Sequence, residues 1–468
     1  MPEAIVVGSG PNGLAAAIGL AEAGWGVTVY EARDALGGGA SSASLTLPGF
    51  VHDVCSAVHP MAVDSACFRS LPLATYGLEW VEPSAMLAHP FDDGSAAVVD
   101  RSVDTTAAGL GPDGSAYKAL IGTVVADWPR LESTVLGPIG WPAHPLVAAR
   151  FGFKALQPAA SLLRRTFRGE PARALVAGIA AHGMLPLSRP ATAAFGLVLG
   201  SHAHTAGWLF PRGGAQRLTD ALAAHLRALG GRILTGAPVD SIETLPPVTA
   251  VLCDLSPRPF LKIAGRRLTP RFRRALERYR YGCSVFKVDW ALEGPIPWRA
   301  PACRRAGTLH LGGTLAEIEA AEASAWSDRP AERPFVLLAQ PTIADPTRAP
   351  PGRHVAWAYC HVPHGSTVDM RERIEAQVER FAPGFGARIL ARVTTSPAAI
   401  EARNPNMVGG DIGAGASTLG QLFTRPTWRQ YATSARGLYL CSAATPPGVG
   451  VHGLCGYFAA RRVLRDFR

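Results

Sequence analysis

None of the eight cysteines in this 468-residue sequence forms a C-x-x-C pair; they stand at 55, 67, 253, 283, 303, 360, 441 and 455. That excludes a redox disulfide of the adjacent-cysteine kind, and no spacing matches a zinc site. Charge is scarce as well: 18% of residues are Asp, Glu, Lys or Arg, against 48% apolar. Such a chain buries a large core and does not stay disordered. No long apolar run is free of polar side chains. The uncharged stretch from Pro190 to Pro211 is long enough to span a bilayer. It contains Thr192, Ser201, His202, His204 and Thr205, so it reads as a buried core segment. His202 and His204 lie two apart and do not share a helical face, so no metal is expected there. A G-x-S-x-G elbow is also missing, which removes the usual serine-hydrolase reading.

What is present begins with size and charge. The length predicts two lobes of mixed structure rather than one core. The net charge is +10, but the basic residues are scattered. The densest group runs from Arg258 to Arg280 and includes Arg266, Arg267, Arg271, Arg273 and Arg274. It reads as a solvated helix face, with a membrane-surface patch as the alternative. No basic stretch is interleaved with stacking aromatics, so nucleic acid is not an expected partner. The start, Met1-Pro2-Glu3-Ala4, runs directly into a predicted strand without a charged leader. The expectation is a cytoplasmic protein with reduced cysteines, with peripheral contact to a membrane left open.

The strongest signal lies near residue 1. Ile5-Val6-Val7 has the unbroken apolar character of a buried parallel strand. Gly8-Ser9-Gly10-Pro11-Asn12-Gly13 follows as G-x-G-x-x-G, then a helical run from Leu14 to Ala21. Val27-Thr28-Val29-Tyr30 predicts a second strand, ending at Glu31. The three glycines serve different needs. Gly8 allows the tight turn, Gly10 the close approach to a pyrophosphate, and Gly13 the packing of helix on sheet. The helix N-terminus offers its free N–H groups to the anion. Glu31 follows Gly8 by 23 residues, about the separation of the acid that holds a ribose hydroxyl. This is a dinucleotide-binding unit.

A second glycine cluster then appears in Glu31-Ala32-Arg33-Asp34-Ala35-Leu36-Gly37-Gly38-Gly39-Ala40-Ser41-Ser42. It suggests backbone wrapped around a long cofactor. The run resembles the E-x-R-x-x-x-G-G-x-x-x-[ST] signature of the flavoprotein superfamily that holds amine oxidases and phytoene dehydrogenases. The resemblance implies noncovalent FAD. Gly8, Gly10, Pro11, Asn12 and Gly13 would form the phosphate turn, and Glu31 and Ala32 would lie at the ribose. Arg33, Gly38, Gly39, Ala40, Ser41 and Ser42 would flank the phosphates and ribityl chain. Gly39-Ala40 stands where many members carry an arginine.

The far end resembles the same family. A strand at Gly437–Ser442 leads into Ala443-Ala444-Thr445-Pro446-Pro447-Gly448-Val449-Gly450-Val451-His452-Gly453 and a helix from Leu454 to Leu464. By that resemblance Ala443, Gly450, Val451 and His452 meet the flavin ring. Phe210 to Leu222 resembles the family's P-x-G-G turn into a helix. Val239 matches the residue that contacts the adenine through its backbone. His52 to Pro60 and Asn404 to Asp411 resemble phytoene-dehydrogenase-related oxidoreductases of the pyridine-nucleotide-disulphide-oxidoreductase-domain type.

The implied architecture is α/β. It is a Rossmann-like, glutathione-reductase-like FAD-binding domain formed by 1–95, 208–257 and 395–468. A mixed α+β substrate domain is inserted as 96–207 and 258–394. Candidate acid–base residues are His452, His59 and His52, while Asp411 reads as a turn cap. Cys55, Cys441 and Cys455 are weighed as covalent flavin links and set second to noncovalent binding. The expected function is hydride transfer from an apolar or amphipathic substrate, such as a polyene, isoprenoid or acyl chain. An amine oxidase is the alternative within the class, and a non-catalytic lipid- or prenyl-binding protein the alternative outside it.

Overall fold

The computed structural model describes residues 1–468. Its first layer is a five-stranded parallel sheet in the order Leu438–Leu440, Ala250–Cys253, Glu3–Val7, Gly26–Tyr30, Arg232–Leu234. Val6 lies between Leu252 and Val29 in register. All three are fully buried, as expected where helices cover both faces of a parallel sheet.

Alternation along Glu3–Val7 sends Ala4 and Val6 to one face and Ile5 and Val7 to the other. Ala4 and Val6 share a core with Leu14 and Ala17 of helix Pro11–Ala21 and with Ala459 and Val463 of helix Leu454–Asp466. The two helices come close enough that a methyl on Gly19 would stand 3.2 Å from the Ala460 methyl. Ile5 and Val7 pack with Phe260, Phe272 and Leu276. Those three come from helices Pro257–Ala264 and Pro270–Glu277.

That last contact corrects a predicted boundary. Residues 258–277 belong to the dinucleotide-binding layer and not to the inserted domain. Phe260, Ala264, Leu268, Phe272 and Leu276 recur every fourth residue and are all buried. They form one apolar stripe against the sheet, and Arg266, Arg267, Arg271, Arg273 and Arg274 stay exposed.

The second layer is a seven-stranded sheet. Its order is Ile389–Thr395, Ser284–Leu292, His354–Val362, Val336–Ala339, Ala306–Leu311, Ala85–Pro90, Ala96–Val99. Pairing is antiparallel except between Ala306–Leu311 and Ala85–Pro90. The boundary predicted at residue 95 is therefore also corrected, because Ala85–Pro90 hydrogen-bonds into this second sheet. One face packs Val288, Trp290 and Leu309 against Phe381 and Phe385. The other face turns toward helices from residues 123–205. Among them is Thr192–Thr205, which lies within the uncharged stretch predicted as core; Leu197, Gly200, Ser201 and His202 are buried. No helix of the chain is long and apolar enough to cross a membrane.

Candidate functional site

The first turn is built around backbone contacts that tolerate no side chain. Gly8 has φ of +101°, and a Cβ on Gly13 would stand 2.1 Å from the Gly8 carbonyl oxygen. The Gly13 N–H donates to Asp254 Oδ2 at 3.0 Å. Asp254 ends strand Ala250–Cys253, and a Cβ on Gly10 would stand 2.6 Å from the same oxygen. Burial pushes the Asp254 carboxyl up to about 7; the Gly13 bond opposes this and nearby Glu31 adds to it. Sequence reading missed Asp254, which follows the fourth strand of the sheet in chain order and meets the glycine turn only once the sheet is assembled.

Glu31 is held at the end of the second strand. One oxygen accepts from the Ser9 N–H at 3.0 Å and the Ser9 hydroxyl at 2.6 Å, and the other from the Arg33 N–H at 3.0 Å. Ala32 and Arg33 are exposed. The glycine run crosses the first turn directly: a Cβ on Gly38 would stand 3.6 Å from Gly10 Cα. The Ser41 hydroxyl donates to the Gly38 carbonyl at 3.0 Å, and that of Ser42 to Asp53 Oδ1 at 2.9 Å. Val239 is half-buried and packs against the rim of the first sheet, next to Ile242. The Ala237 N–H beside it donates to the Glu31 carbonyl at 2.9 Å.

Asp53 locks three segments together. It accepts from Ser42 and from the Ala215 N–H at 2.8 Å, and pairs with buried Arg348 at 2.6 Å. Burial pushes the Asp53 carboxyl up, but the Arg348 charge and the hydrogen bonds outweigh it and hold the group below its ordinary value. The P-x-G-G turn and helix Gln216–Ala228 are thereby fixed against the glycine run.

Between the layers lies a cavity of about 420 Å³. Pro11, Asn12, Gly39 and Ala40 form one part of its wall, and Ala443, Gly450 and Val451 another. Segments from opposite chain ends thus meet at one space. Asn12 Oδ1 is buried without a protein partner. Trp208, Trp357, Tyr359 and Phe195 complete an apolar wall. Trp357 and Tyr359 are stacked, with centroids 5.7 Å apart at 12°. Buried Lys287 pairs with Asp289 and stands 5.3 Å from the Trp357 ring centre. A glycine turn that leaves no room for side chains, an orphaned acceptor and apolar walls form a cradle that fits a dinucleotide flavin. No cluster of three His, Cys, Asp or Glu side chains could hold a metal.

The candidate histidines separate. His59 lines the cavity, with Nε2 3.0 Å from the Ser56 hydroxyl and Nδ1 unpartnered. Burial pushes its pKa down to about 4, with Asp53 opposing and Arg348 reinforcing. His452 is buried beside the cavity wall but outside its lining; its Nδ1 accepts from the Leu454 N–H at 3.1 Å, as a helix-start residue does. His52 stands opposite Ala43 in the two-stranded ladder and outside the cavity lining, with Nε2 2.7 Å from the Thr46 hydroxyl. His182, which sequence reading passed over, lines the cavity and meets His310 at 3.1 Å.

Asp411 caps a turn as expected, accepting from the N–H groups of Gly282, Gly413 and Gly415 at 2.7–2.9 Å. All eight cysteines are free. Burial pushes the Cys55 thiol up to about 11 and the Cys455 thiol up to about 12, which keeps them protonated and poorly nucleophilic.

Fold and site together define a flavin-type dinucleotide-binding oxidoreductase with a separate lobe over the cavity. Residues 3–256 match the family described as FAD dependent oxidoreductase. The chain belongs to that family, and its cofactor is FAD. It is 26% identical to pyridine nucleotide-disulfide oxidoreductase domain-containing protein 2 of Mus musculus, over 100% of this chain and 94% of the relative. It is 27% identical to a phytoene dehydrogenase of Streptomyces griseus, over 98% of this chain and 94% of the relative. Among solved structures, a putrescine oxidase bound to putrescine superposes with a TM-score of 0.64 at 18% identity, covering 99% of each chain.

Proposed function

We propose that this FAD-dependent oxidoreductase is a dehydrogenase that forms a carbon–carbon double bond in an apolar or amphipathic substrate. The observation that carries the reading is the cavity wall. Beyond the segments assigned to the cofactor, it is built from Trp208, Trp357, Tyr359, Phe195, Leu199 and Val198. Such a wall binds by excluding water from apolar surface. The similarity to a phytoene dehydrogenase along nearly the full chain supports the same class.

Bound FAD supplies a two-electron acceptor for the hydride. Gly38, Gly39 and Ala40 would bind its phosphate and ribityl portion, and Ala443, Gly450 and Val451 its ring. The substrate loses a hydride from one carbon and a proton from its neighbour. His59, neutral through burial and facing the cavity, is the proposed acceptor of that proton. The apolar wall orients the chain and keeps water from the reacting carbons.

The stacked Trp357–Tyr359 pair favours a second reading, oxidation of an amine framed by aromatics. Anaerobic mixing of holoenzyme with polyene, acyl-chain and amine substrates separates the two. Bleaching of the flavin by a polyene or acyl chain is the expected result. Bleaching by amines alone establishes the second reading, and no bleaching by any of the three overturns both.

A further inference from the structure

The largest exposed apolar side chains gather in two segments, and both reach the cavity. Trp141 is 91% exposed, Leu146 87%, Phe153 79% and Trp428 77%, with Phe423 at 50%. Single exposed apolar residues are ordinary; a group of this size is not. The first segment is the loop after Leu136 and helix Pro145–Ala155. Leu136 itself lines the cavity. The second is helix Leu419–Thr424 and the loop to Gln430, where Leu422 lines the cavity next to exposed Phe423. Gln430 Nε2 donates to the Ile139 carbonyl at 2.9 Å and ties one segment to the other. On the helix, Leu146, Arg150 and Phe153 recur at helical spacing and turn one face to solvent.

Within these two stretches of chain every charged side chain is basic. From Ser133 to Gly169 there is no Asp or Glu, while Arg150, Lys154, Arg164, Arg165 and Arg168 are present. From Ile412 to Arg465 there is again no acid. Some of these cations have partners elsewhere: Arg150 pairs with Asp127 yet keeps its side chain 56% exposed. Arg429, beside Trp428, is exposed.

We infer that this face docks on an anionic lipid bilayer. Aromatic and leucine side chains enter the headgroup boundary while arginine and lysine meet lipid phosphates, the pattern of interfacial binding. A second copy of the chain is a poorer occupant, because a two-fold contact would set this basic rim against itself. Docking there opens the cavity onto the acyl-chain region, so an apolar molecule enters without crossing bulk water. The inference concerns a surface and holds whichever substrate is turned over.

Co-sedimentation of full-length holoprotein with vesicles tests it. Phosphatidylcholine vesicles containing phosphatidylglycerol should bind the protein, and phosphatidylcholine alone should bind it weakly. Added salt should weaken the binding. The triple variant Trp141→Ser, Phe153→Ser, Trp428→Ser should bind at least about tenfold more weakly, from the apolar area it removes. Its flavin spectrum and melting temperature should be unchanged, since all three side chains are exposed. The variant Arg266→Ser, Arg267→Ser, Arg271→Ser, on the other basic group, should bind as the parent does. Three results overturn the inference: no binding to phosphatidylglycerol vesicles, full binding by the triple aromatic variant, or a loss confined to the arginine variant. Sedimentation velocity showing a dimer that the triple aromatic variant dissociates would assign the face to a second copy instead.

Discussion

Gly456 of the last helix lies against Asn12 of the first turn so closely that a Cβ would stand 1.8 Å from the Asn12 carbonyl oxygen. Residues at opposite ends of the chain thus set the depth at which the two cofactor segments meet. Gly456→Ala must push the helix or the turn away. The expected cost is about 3 kcal/mol, the upper range for overpacking a closed core, together with weaker FAD retention. Gly152 lies in a helix with no atom near its missing methyl, and Gly152→Ala should leave stability equal or slightly raised. Thermal melts with flavin release on dilution check the pair.

Asp254 makes stability depend on pH in the sense opposite to a salt-bridged acid. Its folded pKa is raised to about 7, above its ordinary carboxylate value, so the folded state binds the proton more tightly. Its contribution is complete below the ordinary value, near 4, and is lost as pH rises through about 7. Asp254→Asn removes that titration while keeping an acceptor for the Gly13 N–H. The difference in melting temperature between parent and variant should shift against the parent from about pH 4 to 7.

Asp254 also marks where sequence reading stops. The first turn, Glu31 and the glycine run are contiguous, and their spacing states a backbone geometry. Asp254 acts on Gly13 from 241 residues away, and no local period points to that meeting. Between 258 and 280 the apolar stripe of Phe260 to Leu276 is legible at every fourth residue, but the arginines interleaved with it give the stronger signal of a solvated face. Trp357 and Tyr359 alternate with Ala356, Ala358 and Cys360 along one strand. Which set faces a cavity follows from the packing partner of each face, not from the alternation.

Asp53 and Arg348 are both fully buried and paired at 2.6 Å. Removing one charge strands the other in a low dielectric. Asp53→Asn and Arg348→Met should each cost about 3–5 kcal/mol. The double variant should cost less than the sum, because neither charge is then left unpaired. With the Asp53 pKa held low, its contribution is present above the ordinary carboxylate value and fades as pH falls below it. Urea unfolding of the three variants and the parent, repeated near pH 7 and in acid, tests both statements.

His59 is the histidine that both sequence and cavity select, and its burial dictates how its role must show. With a pKa near 4, the ring is neutral and ready to accept a proton throughout the physiological range. An unperturbed histidine would place the acid limb of kcat/KM near pH 6.5. Here that limb should lie near 4, with no inflection from His59 between about pH 5 and 8. A base with so low a pKa is also a weak one, so its loss should fall at the modest end for general bases. His59→Gln should lower kcat about 100-fold and leave the flavin spectrum intact. The same kcat in parent and variant would make His59 a wall residue held by Ser56. An acid limb near 6.5 that persists in His59→Gln would move the proton transfer away from both imidazoles of the cavity wall, since burial pushes His182 lower still, to about 3.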